Sequence, residues 1–427
     1  MTKAVTVLAG FLALATLSAC AVEAPSPAKT GALPPVHLPP DASGSAYRAL
    51  LAETPSQIGP LEATDVVSQL REAGARNLDW LDKINATRSP DRKLRLTGPD
   101  NRVGYPISAP KTYSPGILET EFAKLRPELP PQVWDVVFAR TRPTSTPLEI
   151  DDASFVLISR RIDRLYQTAA RWTLTLPHRG SYIHARKNDV RGYYFLVREA
   201  DLEAKLDNFS ALSPDDQARL STWLRGLCFN GATATESACQ SSLSSALRQN
   251  AVRAYFERHR AGGESAFNRL YRIQNPRREM RWTSNGPSES ATLPFRDPQN
   301  DPIRDFLKLN IEDEWKWGDW KLQLEFLASA PVRVEFEPGV VPHVNGLGGN
   351  TITMDANAPI EEYEVQWTIR HEFGHVLGFP DCYVEFYDEE NAQMTSYQID
   401  TADLMCSRAG NLLEKHAQEM KRAYGTR

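Results

Sequence analysis

The chain has 427 residues, of which 24% are charged, and its formal net charge is −5 at pH 7. Residues 46 to about 275 alone are long enough for one or two domains. Nucleic-acid binding needs a basic surface, and the slightly acidic balance gives no support for it, so we expect no nucleic-acid partner.

Residues 1–19 have the pattern of a secretory signal peptide. Lys3 gives a positive start, and the apolar run from Val5 to Leu17 is too short to span a membrane as a mature helix. The sequence LSAC, which ends at Cys20, resembles the bacterial lipobox and implies lipid attachment to Cys20. Ala21 favours the outer membrane, because inner-membrane retention uses Asp there. We expect an envelope lipoprotein; the alternative is a generic signal peptide with a stray cysteine.

The next segments predict a linker and a helical region. Residues 20–45 are rich in proline and predict an extended spacer between the lipid and the folded chain. Residues 46–275 predict an α-rich N-terminal domain of unknown role, with helical periodicity in residues 61–84 and 241–260 and a helix start at Ser213-Pro214. Residues 173–199 predict strands around a turn. One interpretation of the region is a helical scaffold. The alternative is a domain that covers a cleft, either as a pro-domain or as a substrate-selecting domain.

Residues 276–427 predict a second domain with a small mixed sheet, so the fold class is α+β. The segments MRWTS, ATLPF, KLQLEF, VRVEFEP and NTITMD predict strands, and Asp301-Pro302 predicts a helix start. A further helix is expected to be capped by Asn357, with Pro359 in its first turn. A C-terminal helix ends the chain.

This further helix contains HEFGHVLGFPD, residues 371–381. His371 and His375 are four residues apart, so both imidazoles lie on one helix face and can reach one metal ion. Glu372 can reach a metal-bound water without being a ligand. Gly378 ends the helix, and Asp381 follows as a third ligand. Three protein ligands with one open position are typical of a catalytic zinc site.

HExxHxxGxxD followed by the methionine of DLMCS resembles the metzincin clan of zinc endopeptidases, whose common pattern ends in histidine. The aspartate makes it most similar to the snapalysin-type bacterial proteases. The resemblance implies that His371, His375 and Asp381 bind one Zn²⁺ ion, that Glu372 is the general base, and that Met405 forms a methionine turn. It also implies that the TITMD strand is a sheet edge that holds an extended substrate; an internal strand is an equal alternative.

Several nearby residues leave alternatives open. Ser407 occupies the place where some metzincins have an oxyanion-stabilising tyrosine, and for Tyr397 and Tyr424 ordinary packing is the favoured role. His416 is expected at the surface of the C-terminal helix, and His343 in a loop. The acidic segment 383–403 is interpreted as a solvated loop, with a calcium site, a substrate gate or a thermolysin-like glutamate ligand as alternatives.

The remaining cysteines are even in number. Apart from Cys20 there are four, and four cysteines in an exported protein allow three pairings. We favour Cys228–Cys239 with Cys382–Cys406. The second bridge would connect the loop of Asp381 to the turn of Met405 and would restrict the unfolded chain.

The sequence therefore predicts a hydrolase, a zinc metallopeptidase that acts on protein or peptide substrates. Two alternatives are a non-catalytic envelope binding protein with a peptidase-like fold and a zinc amidase with a non-peptide substrate. The intact motif opposes the binding protein, because such a protein would not need Glu372.

Overall fold

The computed structural model describes residues 65–98, 103–231 and 235–425. These residues all belong to one compact unit. The signal peptide, Cys20, the proline-rich linker and the first residues of the helical region lie outside the described residues. No helix in the described ranges is long and apolar enough to cross a membrane. The predicted α+β class is confirmed, because helices combine with three small sheets.

The predicted helical region is confirmed for the described residues before 276. Its helices are α1 (Val66–Ala86), α2 (Pro115–Leu125), α3 (Asp152–Thr175), α4 (Arg179–Ala185), α5 (Arg191–Leu196), α6 (Leu202–Asp207), α7 (Pro214–Gly231), α8 (Glu236–Arg248) and α9 (Val252–Arg269). A short helix, Pro131–Val133, continues into a π-helical turn, Trp134–Phe138, and a short strand, β1, covers Lys111–Tyr113.

The prediction of strands in residues 173–199 is wrong. The segment contains the end of α3, then α4 and α5. Leu174 and Leu176 are both exposed, so the T-L-T-L alternation has no buried apolar face of the kind that stabilises a strand. The amphipathic stretch 241–260 is divided between α8 and α9 at Asn250, whose φ is 50°.

Helices α1 and α3 form one apolar core. Trp80 packs edge-on against Phe155, with ring centroids 5.1 Å apart, and both side chains are fully buried. Burial of each such ring contributes about 1.5–3 kcal/mol. Gly74 permits the close approach of the two helices, because a Cβ there would lie 2.2 Å from the side chain of Tyr166. This packing fixes the position of α3, whose residues Tyr166 and Arg171 contact the C-terminal part of the chain.

The C-terminal part follows the predicted order of strands and helices. Its elements are β2 (Arg281–Asn285), β3 (Ser288–Arg296), α10 (Asp301–Leu307) with a π-helical extension (Lys308–Glu312), β4 (Lys316–Trp317), β5 (Trp320–Leu327), β6 (Arg333–Glu337), β7 (His343–Val344), β8 (Thr351–Asp355), α11 (Tyr363–Val376), β9 (Tyr383–Asp388), β10 (Gln393–Gln398) and α12 (Glu414–Tyr424). The five predicted strands and the predicted helices are confirmed in this region.

Two of the sheets lie side by side. One has the order β2-β3-β5-β4, and the other has the order β6-β8-β7. Strands β3 and β5 are parallel, as are β6 and β8. A parallel bridge between Phe295 and Val332 connects the two sheets. Their buried residues join α10, α11 and α12 in the largest apolar core.

Strand β8, the TITMD segment, is internal and not a sheet edge. It pairs with β6 on one side and with β7 on the other, where His343 lies opposite Thr353. The edge-strand expectation is therefore wrong for this segment. Strand β7 has two residues, too few for an alternating pattern to reveal it in the sequence.

The acidic segment after Asp381 forms a hairpin, so its interpretation as a solvated loop is wrong. Strand β9 pairs with β10, and β1 adds to the other side of β10, with Tyr113 opposite Met394. Exposed residues of this hairpin are confined to its turn, residues 389–392. The third sheet therefore connects a strand of the N-terminal part to the segment that follows Asp381.

Helix α11 begins at Tyr363, later than predicted. Asn357 does not cap it. Glu362 occupies the cap position, and its carboxylate accepts hydrogen bonds from the backbone N–H groups of Leu96 and Thr97 instead. The end is as predicted: Gly378 has φ of +91°, a conformation that favours glycine.

Candidate metal centre

Three potential ligand atoms converge at the end of α11. Asp381 Oδ1 lies 3.1 Å from His371 Nε2 and 3.2 Å from His375 Nε2. The two imidazole rings are nearly perpendicular, with centroids 4.8 Å apart. The i, i+4 spacing places both rings on one helix face, and the turn at Gly378 returns the chain so that Asp381 completes the group.

Backbone carbonyls fix the orientation of both imidazoles. His371 Nδ1 donates to Leu404 O at 2.7 Å, and His375 Nδ1 donates to Phe379 O at 2.8 Å. Since the carbonyl oxygens can only accept, each Nδ1 carries the proton, and each Nε2 is free to coordinate a metal. This is the outer-shell arrangement that is usual for zinc-binding histidines.

The electrostatics of the group favour a cation between these atoms. Burial opposes ionisation of Asp381, but His375 and His371 hold the pKa of that carboxyl well below its usual range. Burial lowers the pKa of His375, yet Asp381 outweighs it and raises this pKa to about 10. The site thus stabilises positive charge beside Asp381, and a divalent cation can replace the protons.

Glu372 is buried beside these ligands, and its Oε2 has no hydrogen-bond partner among the described residues. Burial raises the pKa of the Glu372 carboxyl, while His375 and His371 oppose this effect. A buried carboxylate oxygen without a partner is costly and rare in proteins. Such an atom is suited to accept a hydrogen bond and a proton from a water molecule.

Met405 packs directly against α11 below the two histidines. Its sulfur lies 2.2 Å from the position that a Cβ on Gly374 would occupy. Met405 O accepts a hydrogen bond from Cys382 N at 3.0 Å, and Cys382 forms a disulfide with Cys406. The residue after Asp381 is thus connected to the Met405 turn by a backbone hydrogen bond and by a disulfide.

The second disulfide lies in the N-terminal part, far along the chain from the metal group. Cys228 of α7 pairs with Cys239 of α8, and both residues belong to the apolar core of helices α5 to α9. This bridge crosslinks two helices and places no ligand.

Asp403 and His416 hold the Met405 turn, a function that the sequence did not reveal. Asp403 Oδ1 accepts from Met405 N at 2.7 Å and from His416 Nε2 at 3.1 Å. Burial would raise the pKa of Asp403, but His416 and Lys415 hold it well below its usual range. The expectation of a surface position for His416 is wrong, since its side chain is buried. The available signal was an aspartate two residues before the methionine, a pattern typical of a side-chain-to-backbone turn.

The two tyrosines weighed as oxyanion donors have other partners. Tyr397 donates to Asp189 Oδ1 at 2.8 Å, and Tyr424 donates to Leu377 O at 2.8 Å. Both are buried, so ordinary packing describes them, as favoured from the sequence. His343 lies in β7, where its Nδ1 donates to Val341 O.

Glu385 is the buried glutamate of the hairpin, and its contacts do not support a role as the third ligand. Its carboxylate binds Arg171 and accepts from Tyr113. Tyr383 stacks on the His371 ring and accepts from Arg171 Nη2 at 3.0 Å. These contacts join α3 to the strand that follows Asp381, and no sequence pattern reveals them because Arg171 is more than 200 residues away.

A cavity of about 270 Å³ opens beside His371 and Glu372. Its walls come from α11, from the Ser407-Arg408 segment after the methionine turn, and from α3, with β1 contributing Lys111. The cavity therefore lies between α3 and the face of α11 that carries His371 and Glu372.

The donor set fits zinc. Two imidazole nitrogens and one carboxylate oxygen, with space beside Glu372 for a fourth ligand, match a catalytic zinc site. Calcium requires six to eight oxygen ligands. Within the described ranges, the other close group of metal-binding residue types is Cys382, Asp403 and Cys406, which already form a disulfide and an ion-pair network. No family model, curated protein or solved structure matches this chain.

Proposed function

We propose that the chain is a zinc-dependent endopeptidase of the metzincin type, in which His371, His375 and Asp381 bind the metal. The observation that carries the proposal is the convergence of His371 Nε2, His375 Nε2 and Asp381 Oδ1, with both Nδ1 atoms engaged by backbone carbonyls. Methionine Met405 and its disulfide-linked neighbour support the same side of the site.

Zinc, when bound, would polarise a substrate carbonyl and lower the pKa of a coordinated water. Glu372 takes a proton from the attacking water through its unpartnered Oε2 and passes it to the leaving amine. Burial raises the pKa of Glu372 and so makes its carboxylate a stronger base. No covalent link between the chain and the substrate is needed.

The order of elements supports the family proposal. Strand β3, helix α10, strands β5 to β8, helix α11, the Met405 turn and helix α12 follow each other in the order that the resemblance implies. The lipid anchor at Cys20 and an outer-membrane location remain proposals from the sequence, since Cys20 lies outside the described residues.

A non-catalytic binding protein is the weaker alternative. The buried Oε2 of Glu372 without a partner has a cost that such a protein would have no reason to bear. A zinc amidase with a non-peptide substrate would use the same residues. The cover provided by α3 favours short or extended substrates for either hydrolase.

Hydrolysis of a peptide library by the zinc-loaded full-length protein tests the proposal, with Glu372→Gln as the matched variant. The variant should keep one equivalent of zinc, because Glu372 is not a ligand, and should lose about 10²–10⁴-fold in rate. Equal zinc content with equal hydrolysis in both proteins, or hydrolysis by neither, contradicts the proposal.

A further inference from the structure

Three cationic side chains line the cavity beside Glu372 and have no carboxylate partner among the described residues. They are Lys111, Arg164 and Arg408. A fourth, Arg171, differs because it forms a partly buried ion pair with Glu385. Cations that line a cavity without an anionic partner attract an anionic ligand. The charge of the ligand compensates for the hydration that the cations lose when the ligand fills the cavity.

Arg408 is bound to the helix that carries His371 and Glu372. Its Nη1 donates to Thr368 Oγ1 at 3.2 Å, and its Nη2 donates to Gln167 Oε1 at 3.4 Å. Thr368 lies three residues before His371 and four before Glu372, so it shares their helix face one turn away. Arg408 thus spans from α11 to α3 with neutral acceptors only.

Lys111 approaches the same cavity from β1. Its Nζ donates to Thr168 Oγ1 at 3.0 Å and lies 5.1 Å from the ring centroid of Tyr105. Burial, with Arg171 as the next contributor, lowers the pKa of Lys111 to about 8. The ammonium group is therefore charged at neutral pH but poorly compensated, and a nearby anion would stabilise it.

Acidic residues other than Glu372 also line the cavity, but hydrogen bonds from the protein already satisfy them. Glu362 accepts from the backbone of Leu96 and Thr97. The Gln167 amide donates to both Asp163 and Glu364. Burial, with Glu364 second, raises the pKa of Asp163 well above its usual range and so disfavours its charged form. Of the lining groups other than Glu372, the carboxyls accept hydrogen bonds, whereas Lys111, Arg164 and Arg408 have no carboxylate partner among the described residues.

We propose that this cavity binds an anionic group of the peptide substrate close to the bond that is cleaved, through Arg408 and Lys111 together with the exposed Arg164. The group is a carboxylate, either of an acidic side chain or of a free C-terminus. This inference rests on the proposed peptidase function and names the substrate class of the same site.

Binding of labelled peptides to the zinc-loaded full-length Glu372→Gln protein tests the inference without turnover. Three peptides of one sequence are compared: one has an internal glutamate and an amidated C-terminus, one has glutamine and a free C-terminus, and one has glutamine and an amide. The fully neutral peptide should bind about tenfold more weakly than at least one charged peptide. The stronger of the charged peptides identifies the source of the carboxylate.

Variants at Arg408 locate the binding group. In the same background, Arg408→Gln should remove the preference for the charged peptide, Arg408→Glu should reverse it, and Arg408→Lys should retain part of it. Lys111→Gln gives a second route if Arg408 variants fold poorly. Arg253→Gln is the control, because Arg253 forms surface ion pairs with Glu203 and Asp207 and does not line the cavity.

Equal binding of the three peptides overturns the inference, and so does a charge preference that persists in Arg408→Glu and Lys111→Gln. Turnover by the unmutated protein separates this failure from that of the proposed function. Hydrolysis without a preference for anionic peptides contradicts the inference alone, whereas preferential binding without hydrolysis contradicts the peptidase proposal alone.

Discussion

The sulfur of Met405 occupies the space that a side chain on Gly374 would need. A Cβ at Gly374 would lie 2.2 Å from the sulfur and 2.8 Å from the terminal methyl carbon. Gly374 immediately precedes His375, so the Met405 turn contacts the helix beside His375. The absence of a side chain at Gly374 therefore determines how closely the turn approaches α11.

Gly374→Ala should destabilise the protein by about 1–3 kcal/mol, because an added methyl group in a packed interior forces neighbours apart. Gly116→Ala is the matched control. Gly116 lies in the first turn of α2 and has no atom within 4 Å of its Cβ position, so this variant should be neutral or slightly stabilising. Urea unfolding of both variants measures the difference, and equal midpoints would contradict the close contact.

Asp381→Ala should release zinc, because the carboxylate is the third ligand in the proposal. The loss of affinity should exceed the roughly 10–100-fold that is typical when an outer-shell partner is removed. Asp381→His, which restores the commoner metzincin ligand, should recover part of the affinity. Competition with a fluorescent chelator measures both values. Unchanged zinc affinity in Asp381→Ala would exclude Asp381 as a ligand.

The two disulfides should differ in their effect on zinc. Replacing Cys382 and Cys406 together by serine should lower stability by about 3 kcal/mol and should also weaken zinc retention, because this bridge connects the Asp381 segment to the Met405 turn. Replacing Cys228 and Cys239 should lower stability by a similar amount and leave zinc retention unchanged. Zinc loss of equal size in both double variants would contradict the assignment.

Glu362 should make the stability depend on pH. Burial raises its pKa from 4.5 to about 7, so between these pH values the folded protein holds a proton that the unfolded chain has released. The free energy of unfolding therefore falls as pH rises from 4.5 to about 7, by as much as about 3 kcal/mol from this group. Glu362→Gln should flatten this part of the profile.

Urea unfolding at pH 5 and pH 8 tests this expectation. Asp163, whose pKa is also raised by burial, leaves a residual slope in both proteins. Parallel profiles for the unmutated protein and Glu362→Gln would show that Glu362 does not carry the predicted proton.

The sequence reveals the local part of this site. The spacing of His371 and His375, the turn at Gly378 and the position of Asp381 depend on fewer than a dozen consecutive residues, and helix geometry alone brings them together. The helix preference of the region before residue 276 and the alternation of the main strands are equally local signals.

The parts that were not predicted depend on contacts that are distant in sequence. Helix α11 starts late because Glu362 accepts hydrogen bonds from a segment more than 260 residues earlier. The buried pair of Asp403 and His416 requires α12 to return to the methionine turn. The cover over the cavity depends on the contact of Arg171 with Glu385 across 214 residues. No periodicity or motif encodes such pairs.

X-ray absorption at the zinc edge on the full-length protein tests the central claim most directly. The account predicts one zinc ion with two imidazole ligands and oxygen ligands at about 2.0–2.2 Å, and no sulfur ligand. In Asp381→Ala, either the contribution of the carboxylate oxygen to the zinc spectrum or the bound zinc itself should be lost. A sulfur shell at about 2.3 Å, or a spectrum that is unchanged by Asp381→Ala, would contradict a site formed by His371, His375 and Asp381.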